Sequence, residues 1–109
     1  MQDCKETNIL SITTTVADGA AARDLARLIL ERRLAACVQL DEGVTSLYRW
    51  EGRLCEEPEV RLVIKTLPAC VPALQALLAE HHPYELPQFA ACPMAASEAY
   101  AKWVAEAVA

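Results

Sequence analysis

Apolar and polar residues along this chain fall in the order strand, helix, strand, strand, helix, strand, helix, and that order predicts an α+β domain. Two observations carry the prediction. Residues Cys37 to Thr66, CVQLDEGVTSLYRWEGRLCEEPEVRLVIKT, read as one long β-hairpin turning at Glu51-Gly52. A strand–helix pair precedes it and a helix–strand pair follows it. Two right-handed crossovers around a central hairpin give the ferredoxin-like split βαβ sheet, βαββαβ, here with an extra C-terminal helix.

Each element has its own signal. Ile9 to Val16 is rich in β-branched residues and reads as the first strand. Asp18 offers an N-cap to an alanine-rich helix running to about Arg33, with Leu25, Leu28 and Ile29 as its apolar stripe. In the hairpin, Asp41-Glu42-Gly43 breaks the first arm and predicts a bulge. In the second arm Val60, Leu62 and Ile64 alternate with Arg61, Val63 and Lys65, which makes one face apolar. Pro72 suits the start of the second helix, where Leu74, Leu77, Leu78 and His81 recur at helical spacing until Pro83 ends it. Gln88 to Met94 reads as a short fourth strand, and Pro93 places it at an edge or strand end. Ser97 caps a third helix with Tyr100, Trp103, Val104 and Ala107 on one face. Met1 to Thr7 is polar and lacks the apolar run of a signal peptide, so a flexible leader over residues 1–7 and a single domain over residues 8–109 are expected.

The hairpin is long for its domain. At roughly 3.3 Å per residue an unbent arm of about fourteen residues spans about 45 Å. A compact chain of this length has a radius of gyration near 13 Å, hence a body roughly 35 Å across. Leu47, Tyr48, Trp50 and Leu54 are therefore expected to overhang the core, where a partner must cover them. This predicts an obligate oligomer.

Composition excludes several functions. The formal net charge of −5 argues against a nucleic-acid binder. No apolar run approaches the length that spans a bilayer. Five cysteines, Cys4, Cys37, Cys55, Cys70 and Cys92, are an odd set with no CxxC pair, which suits a reducing compartment and predicts a cytoplasmic location. They read as small core hydrophobes, because no nucleophile elbow or family signature accompanies any of them. The carboxylate pairs Asp41-Glu42 and Glu56-Glu57 read as solvated faces, and the three isolated glycines form no phosphate loop. No enzymatic activity and no organic cofactor are expected.

Chemistry concentrates in His81-His82-Pro83-Tyr84-Glu85, which holds both histidines of the chain. Imidazole is a common ligand for copper and zinc, and Glu85 adds a candidate oxygen. Adjacent helical residues diverge by about 100°, so His81 and His82 chelate one ion only if the helix unwinds before Pro83 or a second subunit completes the shell. A second candidate is a cleft between subunits lined by Tyr48, Trp50, Glu59, Lys65 and Tyr84, although large aromatics on an overhanging hairpin more often anchor an interface.

Five blocks of this chain, in order and at matching spacing, resemble the CutA divalent-cation-tolerance family. They are Leu34 to Val38 (LAACV), Ser46 to Gly52 (SLYRWEG), Glu59 to Thr66 (EVRLVIKT), His82 to Pro87 (HPYELP) and Tyr100 to Val104 (YAKWV). The resemblance implies a tight homotrimer in which long hairpins cross between subunits, tolerance of divalent cations, and copper binding. It also implies copper ligands: a cysteine at the end of the first strand and the histidine pair His81 and His82. The cysteine position falls on Thr14, a poor replacement for a thiolate, which implies a weaker or differently shaped site. Such a trimer also looks like that of the PII-type signalling proteins, which bind small effectors between subunits. That likeness is one of fold and carries no function by itself. The leading expectation is thus a cytosolic homotrimer that binds divalent transition metal, copper above others. The alternatives are a PII-like trimer holding a small effector in its cleft and a non-catalytic trimeric scaffold.

Overall fold

The computed structural model describes residues 6–109. The elements are β1 (Glu6–Val16), α1 (Gly19–Glu31), β2 (Cys37–Trp50), β3 (Arg53–Thr66), a 3-10 turn (Pro68–Cys70), α2 (Val71–His81), β4 (Ala90–Ser97) and α3 (Glu98–Ala107). They form one four-stranded sheet in the order β2-β3-β1-β4, with every neighbouring pair antiparallel. That is the predicted split βαβ arrangement. Residues 1–5 of the expected leader lie outside the described residues. Glu6 and Thr7 do not belong to a leader: they pair with Ser97 and Ala96, so β1 starts earlier than its β-branched run suggests.

Strand alternation divides the sheet into two faces. Leu10, Ile12 and Val16 of β1 and Val60, Leu62 and Ile64 of β3 share one face. On it α1 packs with Ala22, Leu25, Ala26 and Ile29, and α2 with Leu74, Leu77 and Leu78. Burying one such aliphatic side chain contributes about 1.5–3 kcal/mol. Asp18 caps α1, its Oδ1 accepting from the Ala21 N–H at 2.8 Å. The helix closes at Arg32 and not at the expected Arg33, which takes a left-handed φ of 56° and turns the chain into β2.

Helix α3 departs from prediction. Ser97 caps it as expected, accepting from the Tyr100 N–H at 3.2 Å. Its buried residues, however, are Ala101 and Val104, which pack on Ile9 on the face of β1 opposite Leu10 and Ile12. Tyr100 and Trp103 stay exposed, their rings 5.6 Å apart. Small Ala101 lets the helix approach the sheet, whereas either ring at that contact would hold it away. Helices therefore lie on both faces of the sheet.

Glu51 and Gly52 turn the hairpin with φ of 49° and 78°, the positive pair of a type I′ turn, which matches the twist of its strands. The register slips between Asp41↔Arg61 and Val44↔Glu59, so Glu42 and Gly43 oppose Val60 alone. This is the expected bulge. It brings Glu42 within 3.2 Å of Arg23 on α1. In β3 the fully buried alternation starts at Val60, and Arg53 to Pro58 are exposed apart from the half-buried Cys55. The radius of gyration is 15.2 Å and the longest extent 49 Å, against about 13 Å expected for a compact chain of this length. Leu47, Tyr48, Trp50 and Leu54 are exposed as predicted.

A Cβ at Gly52 would meet nothing within 4 Å, so only backbone conformation opposes a side chain there. Gly52→Ala should lower unfolding stability by about 1–2 kcal/mol, the cost of left-handed backbone for an L-residue, as read from denaturant unfolding.

Candidate functional site

Pro83 disfavours helical backbone at the residue before it, and His82 accordingly leaves α2 with φ −75° and ψ 132°. That turn swings the His82 ring back against β1, where it is 8% exposed. Its Nδ1 accepts the Tyr84 backbone N–H at 3.1 Å. The proton therefore sits on Nε2, which lies 2.9 Å from the Thr15 carbonyl oxygen and 3.1 Å from Thr14 Oγ1. Both ring nitrogens are thus used in fastening the loop after α2 to the end of β1. Burial lowers the His82 pKa, opposed by the Thr15 carbonyl and by the charge of Glu59, and the ring is held neutral.

His81 was expected to continue the apolar stripe of α2, but His82 is the buried ring and His81 is exposed, with Nε2 3.7 Å from Glu80 Oε1. Among the described residues no three His, Cys, Asp or Glu side chains group so as to hold a metal ion. His81, His82 and Glu85 therefore do not form a ligand set within one subunit. Thr14 is fully buried, and its hydroxyl serves the His82 ring.

The fastened loop builds one wall of a cleft. Val44, Ser46, Tyr48 and Trp50 share a hairpin face with Glu57 and Glu59, directed away from α1 and α2. Tyr84 reaches across Thr15 to that face, and its hydroxyl donates to Glu59 Oε2 at 2.6 Å. Burial, then the bond to Glu59, raises the Tyr84 pKa far above the ordinary phenol value, so Tyr84 stays neutral. The rings of His82 and Tyr84 meet edge to face at 5.0 Å. The resulting cavity has a volume of about 700 Å³, and Tyr48, Trp50, Glu59 and Tyr84 line it together with Thr15, Ser46 and Gln88.

Within one subunit Lys65, the fifth residue expected there, does not line this cleft: it lies six positions along β3 from Glu59, roughly 20 Å, and its Nζ donates to Gln39 Oε1 at 3.2 Å. Glu85 belongs to the cleft wall although it was expected only as a metal ligand. Thr15, Pro83 and Gln88 were not anticipated. Their one signal is proximity in sequence to Thr14 and Tyr84.

The sheet and its cleft define a class of ferredoxin-like α+β domains extended by a long hairpin. The family model described as CutA1 divalent ion tolerance protein matches residues 10–107. The divalent-cation tolerance protein CutA of Escherichia coli (strain K12 / DH10B) is 40% identical over 107 residues, covering 95% of this chain and 96% of the relative. The crystal structure of CutA from Xylella fastidiosa superposes with a TM-score of 0.90 at 32% identity, over 94% of this chain and 100% of that one. CutA from Synechococcus elongatus gives 0.91 at 35% identity, over 98% and 96%. The chain belongs to the CutA1 divalent ion tolerance family.

The folded His82 pKa lies below its unfolded value of about 6.5. Its contribution to stability is therefore complete above that pH and is lost as pH falls through the folded pKa. Metal-free protein should lose stability as pH drops below about 6.5, and His82→Gln should remove that component from thermal melts recorded across pH.

Proposed function

We propose that the protein is a cytoplasmic homotrimer that contributes to divalent-cation tolerance by binding divalent transition metal, copper foremost, and that it catalyses no reaction. Membership of the divalent-cation tolerance family is the observation that carries this reading. The net charge of −5 favours cation approach. His81 presents a solvent-facing imidazole beside the Glu80 carboxylate, and imidazole is a good copper ligand. His82 acts as the strut that positions the loop, not as a ligand. The remaining ligands come from Glu85, from a neighbouring subunit or from water.

Exposed surface supports the trimer. Strands β2 and β4 are the two edges of the sheet, and open apolar edges seek pairing. β4 is apolar from Ala90 to Ala96 and almost wholly exposed. A contact between two different edges, repeated about an axis, closes a ring. Within such a ring the overhanging Leu47, Tyr48, Trp50 and Leu54 gain cover. No helix among the described residues is long and apolar enough to cross a membrane.

Copper calorimetry on untagged protein near neutral pH separates the roles of the two histidines. His81→Ala should weaken binding by about tenfold or more, whereas His82→Ala should lower stability and leave the affinity of the folded fraction nearly unchanged. Unchanged affinity in His81→Ala would remove the proposed ligand.

A further inference from the structure

The open face of the sheet, turned away from α1 and α2, carries two opposite charges that their own subunit leaves unmatched. Glu59 is half-buried and accepts from the neutral Tyr84 hydroxyl at 2.6 Å. Lys65 is half-buried on the same face of β3, and its Nζ donates to the neutral Gln39 amide oxygen at 3.2 Å. Among the described residues neither side chain joins an ion pair. A carboxylate has about four acceptor positions and an ammonium group about three donors, so both keep capacity for a partner. Six positions of strand, roughly 20 Å, keep them from meeting within one chain. We propose that they meet between chains. In the homotrimer proposed above, on which this inference rests, Lys65 of one subunit enters the cleft of the next and is the counter-ion of its Glu59.

Charge and burial select this pair. Helix α1 turns Arg23, Asp24 and Arg27 to water, whereas the open sheet face carries the overhanging rings of Tyr48 and Trp50. A subunit that covers those rings brings its own open face against them, and the base that reaches Glu59 comes from that face. The strands place three bases there: Arg53, Arg61 and Lys65. Arg61 is held by Asp41. Arg53 is exposed at the hairpin tip and keeps its hydration. Lys65 alone is half-buried and without a carboxylate, so an ion pair offsets a desolvation cost already incurred. Within one subunit the cleft presents Glu59 and Glu85 and no base, and a neighbour's lysine supplies the missing charge. The carbon stem of that lysine suits the flanking rings of Tyr48 and Trp50.

A double-mutant cycle on untagged full-length protein tests the contact. Glu59→Gln keeps an acceptor for Tyr84, and Lys65→Met keeps most of the carbon stem. Trimer dissociation is read by sedimentation in graded guanidinium, with circular dichroism verifying that each variant is folded. Each single substitution should raise the dissociation constant by about tenfold or more, because it strands the opposite charge. The double variant should be weakened little beyond either single one. Groups roughly 20 Å apart in one chain act additively, so non-additivity reports contact between copies. Additive effects, or no effect of either substitution, in a protein that is trimeric would overturn the pairing and leave the trimer standing. A stable wild-type monomer would overturn both.

Discussion

The two fourteen-residue arms of β2 and β3 outrun the helices that shelter the sheet, and most of the molecule's unusual surface follows from this mismatch. From Val60 onward β3 alternates buried residues under α1 and α2, and before Val60 it has no such cover. The bulge at Glu42-Gly43 and the positive-φ pair Glu51-Gly52 keep the ribbon in register and twisted beyond that point. A two-stranded ribbon without a packed face is marginal in water. Its stability therefore rests on whatever covers Tyr48, Trp50, Leu47 and Leu54.

The same overhang makes the cleft. Because the hairpin continues past the core, Tyr48 and Trp50 stand over the end of β1, where β4 has not yet begun and the loop after α2 fills the gap. His82 fastens that loop through both ring nitrogens, and Tyr84 then bridges to Glu59. One buried imidazole thus holds the loop that the aromatic and acidic wall depends on. The histidine pair divides its labour, with one ring structural and the other open to solvent.

Legibility in the sequence followed the physics of each signal. The hairpin, its turn and its bulge were readable because period-two alternation and positive-φ residues act locally. The caps Asp18 and Ser97 were readable for the same reason. The exchange of His81 and His82 was not, because helical spacing assigns the last helical residue, His81, to the stripe, whereas Pro83 forces His82 out of the helix and the turn buries His82 instead. Tyr100 and Trp103 misled because their spacing suits a stripe, whereas close approach to Ile9 selects the small Ala101. Lys65 and Glu59 share a face, but within one subunit strand distance separates them. Family resemblance located the Pro-Tyr loop and implied that position 14 stands near the histidine pair, and the fold shows that the Thr14 hydroxyl meets the His82 ring.

Sedimentation equilibrium of untagged protein at low micromolar concentration tests the central claim most directly. A single species with three times the 11.9 kDa chain mass is predicted, with Trp50 emission shifted toward that of a buried indole relative to dilute, partly dissociated samples. A stable, fully folded monomer across that concentration range would contradict the account, because it would mean the ribbon needs no neighbour.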